Sequence, residues 1–260
     1  MTAFLNQSHI LVTRPAHQAE NLCHLIHENN GIPIRFPTIE IESILLDKTQ
    51  SEYHLNQADF LIFTSANAVR CYCSQLNDAK MKTLKTKSCL AIGKATAQAL
   101  ISNNLSVDLI PEHGYNSEAL LDLTFLKLVS QKNGVIIRGE NGRDTLANTL
   151  TKRGANIIYQ DVYKRKIPDN NNLSDILFLI DQKRLNFITI TSGEAIQNLI
   201  KMLPISKHDL LKKIPLIVVS ERIQTIAENL GFEYIALAKM PSDDAILKTI
   251  TTIINGEESG

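Results

Sequence analysis

Short apolar runs rich in β-branched residues recur along the chain. Between them lie segments in which apolar positions return every three to four residues. The runs predict buried parallel strands at 9–13, 33–36, 59–63, 88–92, 107–110, 135–138, 186–190, 216–219 and 234–237. The periodic segments predict helices at 16–29, 66–76, 95–102, 144–152, 194–203 and 222–230. Gly31, Gly154 and Gly231 stand where a left-handed helix cap is expected. Thr64 or Ser65, Thr191 or Ser192, and Ser220 stand where a helix N-cap belongs. Alternation of this kind implies an α/β fold with parallel sheets and right-handed crossovers.

Two stretches break the alternation by pairing apolar with polar residues in extended fashion, at about 36–42 and 157–166. They are expected to be linker strands that cross between domains and pair as a two-stranded ladder. The expected architecture is two similar parallel-sheet, three-layer domains, the second inserted into the first. Domain 1 takes residues 1–37 plus 166–260, and domain 2 takes 38–165. Pro168-Asp169-Asn170-Asn171-Asn172 is expected to be a polar loop, and residues 255–260 a frayed tail.

The pattern also repeats. Phe63-Thr64-Ser65-Ala66-Asn67-Ala68-Val69 is echoed by Ile190-Thr191-Ser192-Gly193-Glu194-Ala195-Ile196. Ser65 and Gly93 stand 28 positions apart, as do Ser192 and Ser220. Leu11-Val12-Thr13-Arg14 precedes the first block, and Ile136-Ile137-Arg138-Gly139 precedes the second. Two similar halves with polar turns at matching places suggest two domains that face one ligand.

Composition narrows the choices. At 260 residues the chain has room for two ordinary domains. Its 27 basic and 27 acidic residues cancel, so no global field draws nucleic acid or an anionic membrane. Trp is absent and aromatics are 5%, which argues against a platform for stacking bases. Cys23, Cys71, Cys73 and Cys89 have no metal-ligand spacing, and reduced thiols in a cytoplasmic protein are expected. The seven histidines show no ligand spacing either. The N-terminus has no secretory pattern, and no apolar run is long enough to cross a membrane.

In a parallel α/β domain the ligand site lies outside the carboxyl ends of the strands. The candidate residues there are Arg14, Thr64, Ser65, Ala66, Gly93 and Lys94 from the first copy. The second copy supplies Arg138, Gly139, Thr191, Ser192, Gly193 and Ser220. Backbone N–H groups at such turns bind carboxylates or phosphates without net charge. The plain alternative is that the serines only cap helices and the arginines only sit in ion pairs. Nucleotide signatures fail: Ser88 and Ala95 stand where a P-loop around Gly93-Lys94 needs Gly and Ser/Thr. No G-x-G-x-x-G follows a strand, and no G-x-S-x-G elbow is present.

Six segments in order resemble the uroporphyrinogen-III synthase family, over about residues 10–231. They are Leu11-Val12-Thr13-Arg14-Pro15, Phe63 to Val69, Ala91-Ile92-Gly93-Lys94 with its helix, Ile137-Arg138-Gly139-Glu140-Asn141-Gly142-Arg143-Asp144, Gly154 to Tyr163, and Ile190 to Ala195. The resemblance implies a cofactor-independent, cyclising hydro-lyase of tetrapyrrole biosynthesis. Such an enzyme closes hydroxymethylbilane to uroporphyrinogen III, with loss of water and inversion of ring D through a spiro intermediate. It implies neither metal nor organic cofactor. It also implies that the rim residues hold carboxylates of the substrate, which carries eight, or line the cleft, with Arg14 matching the family's arginine after the first strand. Tyr163 matches the family's tyrosine and would protonate or orient the leaving hydroxyl, with Tyr159 the other tyrosine of that strand that fits. A phenol is a weak acid at neutral pH, so a hydrogen bond to the departing oxygen is the milder form of that role. A monomer is expected, with transient contact to hydroxymethylbilane synthase. The alternative is a non-catalytic two-domain protein that binds an anion or small molecule.

Overall fold

The computed structural model describes residues 5–169 and 172–256. Asn170 and Asn171 of the expected polar loop, and residues 257–260 of the expected tail, lie outside them. The chain forms two compact units, Met1–Glu40 with Lys166–Gly260, and Ile41–Arg165.

Among the described residues ten strands run in chain order: β1 His9–Val12, β2 Ile32–Arg35, β3 Glu40–Ser43, β4 Phe60–Phe63, β5 Ser88–Ala91, β6 Asn133–Gly139, β7 Asn156–Lys166, β8 Leu185–Ile190, β9 Leu216–Val218 and β10 Ile235–Leu237. The first unit holds the sheet β10-β9-β8-β1-β2, with every pair parallel. The second holds β3-β7-β6-β4-β5, in which β7, β6, β4 and β5 run parallel. β3 borders β7 at the edge of this sheet. Just past β3, Ile44 N donates to Val162 O at 3.0 Å, and Lys164 pairs with Glu42 at 2.9 Å.

From the β2 edge the first sheet reads β2-β1-β8-β9-β10, and from β7 the second reads β7-β6-β4-β5. In the first unit β1 and β2 come before β8 to β10 in the chain, whereas in the second β6 and β7 come after β4 and β5. The two units share one spatial order under a cyclic shift of connectivity.

The inner strands form where they do because both faces are buried. Phe60, Leu61, Ile62 and Phe63 have no exposed surface. Successive side chains point to opposite faces of the sheet. Leu61 and Phe63 join Tyr72 and Leu100 on one side, while Phe60 and Ile62 join Leu120 and Leu150 on the other. In the first unit Ile10 and Val12 pack with Leu22, Ile26 and Ile250.

Two local expectations fail. Residues 107–110 form no strand and make only a single parallel bridge, Leu90 to Leu109. The Asp108 carboxylate accepts from Cys89 N at 2.7 Å, taking a donor that a ladder would use, and Pro111 follows at once. Gly31 is not a left-handed cap; Asn30 holds that conformation, with φ 59°. Gly31 is needed for close packing, since a Cβ there would sit 2.7 Å from Leu5 Cδ1. Gly154 and Gly231 do adopt positive φ, at 86° and 84°. Helices at Lys48–Gln57, Asp78–Leu84, Leu173–Asp181 and Asp243–Ile254 lie outside the six expected ones. Three of these four have a side-chain cap, from Asp47, Asn77 and Ser242. Among the described residues no helix is long and apolar enough to cross a membrane.

Candidate functional site

In the second unit, the carboxyl ends of β4, β5, β6 and β7 carry Thr64, Ser65, Ala66, Gly93, Lys94, Arg138, Gly139 and Tyr163. Thr64 is tied to the neighbouring strand, its N and Oγ1 both donating to Ile137 O at 3.1 and 3.2 Å. Ser65 caps the helix Ala66–Cys73, its Oγ accepting from Ala68 N at 3.0 Å. The first N–H groups of an α-helix have no acceptor within the helix itself.

Ser65 Oγ also lies 3.1 Å from the Tyr163 hydroxyl, and Arg165 Nη2 donates to that phenol at 3.5 Å. Each oxygen therefore accepts one hydrogen bond from a nitrogen, and the pair has two hydroxyl hydrogens of its own. One hydrogen spans the contact. Tyr163 is 3% exposed, whereas Ser65 is half-buried. Either oxygen can be the donor across the contact. Gly139 makes this possible, because a Cβ there would stand 2.6 Å from Tyr163 Cζ and 2.9 Å from its hydroxyl.

Gly93 and Lys94 open the helix Lys94–Ser102, where no side chain caps the N-terminus. Tyr115 fills that place. A Cβ on Gly93 would meet Tyr115 Cβ at 3.0 Å, and Lys94 Nζ lies 5.3 Å from the Tyr115 ring centroid. Its interaction with the Tyr115 phenol raises the lysine pKa. Tyr115 has φ 26° and follows Gly114 at φ 85°. No sequence signal marked it, because a Pro-to-Gly loop brings it back from 22 residues downstream.

In the first unit the corresponding strand ends carry Arg14, Thr191, Ser192, Gly193 and Ser220. Ser192 caps the helix Gly193–Met202, accepting from Ala195 N at 3.0 Å. Ser220 caps Glu221–Asn229, accepting from Ile223 N at 3.4 Å. Thr191 is half-buried, and Gly193 is buried, with Ile226 Cδ1 2.7 Å from where its Cβ would be. Behind this turn lies a buried polar cluster that the sequence did not reveal. Asn198 Nδ2 donates to Thr38 O at 3.0 Å, Thr13 Oγ1 to Thr189 O at 2.7 Å, and Thr189 Oγ1 to Leu11 O at 3.0 Å. The signal was a polar Asn198 on the inward face of an amphipathic helix, between Ile196 and Leu199.

Both predicted arginines are engaged within their own units. Arg14 pairs with Asp243, which Asn21 Nδ2 also reaches at 2.7 Å. Arg138 Nε donates to Asp161 at 2.8 Å, and its Nη1 donates to Asp144 at 3.0 Å and Gly142 O at 3.1 Å. Its guanidinium carbon lies 3.4 Å from the Tyr159 ring centroid, and Tyr159 donates to Asp144 at 2.9 Å. Burial opposes the Arg138 charge, but the bonds to Asp161 and Asp144 outweigh it and raise the pKa. The Tyr159 hydrogen bond, then the Arg138 bond, hold Asp144 below the 3.8 of an ordinary aspartate. Burial and the Asp144 carboxylate push the Tyr159 phenol up.

A family model described as uroporphyrinogen-III synthase HemD matches residues 20–248. The uroporphyrinogen-III synthase of Escherichia coli K12 is 31% identical over 245 residues, covering 93% of this chain and 99% of that protein. Among solved structures, the uroporphyrinogen-III synthetase of Helicobacter pylori 26695 superposes with TM-score 0.62 at 17% identity, covering 95% of this chain and 99% of that one. A mutant uroporphyrinogen III synthase from the extremely thermophilic bacterium Thermus thermophilus gives 0.61 at 16% identity, covering 96% and 100%. These two structures share the two-domain α/β fold.

Proposed function

From the premise that the chain belongs to the uroporphyrinogen-III synthase family, we propose how its own residues carry out that reaction. The chain closes hydroxymethylbilane to uroporphyrinogen III in tetrapyrrole biosynthesis. The terminal hydroxyl departs as water, and the pyrrole nitrogen lone pair fills the gap as an azafulvene. The substituted α-carbon of ring D then attacks the azafulvene methylene to give the spiro intermediate, its old bond to the neighbouring bridge carbon breaks, and the other α-carbon of ring D closes onto that bridge carbon with loss of its proton, leaving ring D inverted.

The Ser65–Tyr163 hydroxyl pair is the observation that carries this proposal. Ser65 directs its hydroxyl hydrogen at the departing oxygen, and Tyr163, held by Arg165, polarises it. Hydrogen-bond or proton donation of this type is worth about 100-fold or more in rate. Each unit has such donors for a carboxylate among its backbone N–H groups and hydroxyls: one at the Ser65 and Gly93 turns with Thr64 and Ala66, the other at the Ser192 and Ser220 turns with Thr191 and Gly193. Many donors then share the load, and the chain's zero net charge is no obstacle. Four free, buried cysteines suit a reducing, cytoplasmic setting.

The test supplies hydroxymethylbilane generated in situ by hydroxymethylbilane synthase, oxidises the products and separates the porphyrin isomers. Isomer III is expected in excess. Isomer I alone, at the spontaneous rate and from folded protein, would leave a non-catalytic binding protein instead. Tyr163→Phe is expected to lower kcat about 100-fold, roughly 2.7 kcal/mol, with KM within about three-fold. An unchanged kcat would remove Tyr163 from the mechanism.

A further inference from the structure

Arg138 looks at first like a ready partner for a substrate carboxylate, since it stands at the carboxyl end of β6. Its surroundings say otherwise. Two carboxylates, Asp161 and Asp144, already bind it at 2.8 and 3.0 Å. The three together carry a net negative charge, so a third carboxylate would be repelled. Three of its hydrogen bonds are already committed, one face is stacked on Tyr159, and the side chain is 11% exposed.

Most of these contacts instead hold the loop 140–144. Arg138 grips Gly142 O and Asp144. Tyr159 grips Asp144 from β7. Glu140 N donates to Tyr163 O at 2.8 Å, which fastens the start of the loop to the strand bearing the phenol. Gly142 lies close against the clamp, where a Cβ would stand 3.2 Å from Arg138 Cδ. The single basic side chain of this loop is Arg143. It is exposed, and no ion pair involves it among the described residues.

We propose that Arg138 is a positioning residue that locks the 140–144 loop, and that Arg143, the basic side chain of that loop, meets a substrate carboxylate. The Arg143 part rests on the synthase function proposed above, and the clamp does not. A planar fork stacked on an aromatic ring and bonded to two carboxylates is a role lysine cannot fill, so charge-conserving substitution separates holding from binding.

The experiment compares Arg143→Gln, Arg138→Lys, Tyr159→Phe and the double variant R138K/R143Q. It measures KM and kcat for hydroxymethylbilane, together with amide hydrogen exchange across 140–144. Arg143→Gln is expected to raise KM about ten-fold, with kcat within about two-fold and loop exchange unchanged. Arg138→Lys keeps its charge, yet is expected to speed loop exchange by about ten-fold or more and to raise KM. In the double variant R138K adds little to the KM of R143Q, because both act through one contact. Tyr159→Phe, which removes only the hydroxyl bond to Asp144, repeats the Arg138→Lys pattern more weakly and guards against a variant that fails to fold. Unchanged KM in Arg143→Gln, or raised KM in Arg138→Lys without faster loop exchange, overturns the proposal. Wild-type protein yielding only isomer I would overturn the synthase function and the role of Arg143, while loop exchange still decides the clamp.

Discussion

The Ser65 turn and the Ser192 turn are built alike and backed differently. Both serines follow a Thr at the end of an inner strand, and both cap a helix by accepting from the third N–H at 3.0 Å. Behind Ser65 stands a buried phenol, 3.1 Å from its hydroxyl. Behind Ser192 stand threonines and Asn198, which satisfy buried carbonyls. One scaffold has thus been fitted once with a polarisable hydroxyl pair and once with an inert, satisfied polar core. The repeated part supplies a serine-capped helix start to both units, and the unrepeated part gives the second its hydroxyl pair.

The largest effect on this contrast is expected from Gly139→Ala. The new methyl would lie 2.6 Å from the buried Tyr163 ring, so the ring or the strand must shift. Overpacking of this kind costs about 1–3 kcal/mol, and the displaced phenol should lower kcat about 100-fold. Near-normal kcat, measured beside thermal unfolding, would show that the phenol position is immaterial. Next comes the matched pair Ser65→Ala and Ser192→Ala. Each loses a helix cap worth about 1 kcal/mol, so denaturation should find them equally destabilised. Steady-state kinetics should find only Ser65→Ala slow in turnover, and equal loss of kcat in both would erase the contrast.

Alkaline pH probes the two cores more gently. Burial pushes the Cys73 thiol to about 11. Burial, then the Asp108 carboxylate, pushes the Cys89 thiol to about 12. Burial likewise takes Tyr72 to about 12. These groups belong to the second unit, whereas the first has a single thiol, Cys23. A pKa raised on folding stabilises fully below the unfolded value, which is 9.0 for these thiols. That stability is lost as pH climbs through the folded value. Hydrogen exchange followed from about pH 9 to about pH 11 should therefore show the second unit loosening first, and simultaneous loosening would count against the thiols as the cause. Gly193→Ala is expected to do least. It copies Ala66 of the other turn and meets only the flexible end of Ile226, so a stability change under about 1 kcal/mol is expected, read from the thermal midpoint.

Strands and caps were legible because they are local. Phe60 to Phe63 announces a strand buried on both faces, and Ser65, Ser192 and Ser220 announce helix starts, since a side-chain oxygen need reach only three residues ahead. The repeat was legible because its spacing is a property of the chain. The failures were local signals overruled by one side chain: Asp108 took the donor that residues 107–110 would have paired with, and Asn30 took the turn expected of Gly31.

The amino-acid sequence by itself determined the α/β class, the family, the capped turns and the set of rim residues, because each depends on residue type and spacing along the chain. Only the tertiary structure decided what those residues touch. Tyr163 reaches Ser65 across 98 positions of chain, and Arg138 meets Asp161 and Asp144, which turns an expected ligand into a clamp. Such choices rest on which side chains parallel pairing brings side by side, and partner distance in a parallel sheet is set by crossovers rather than by neighbours in sequence.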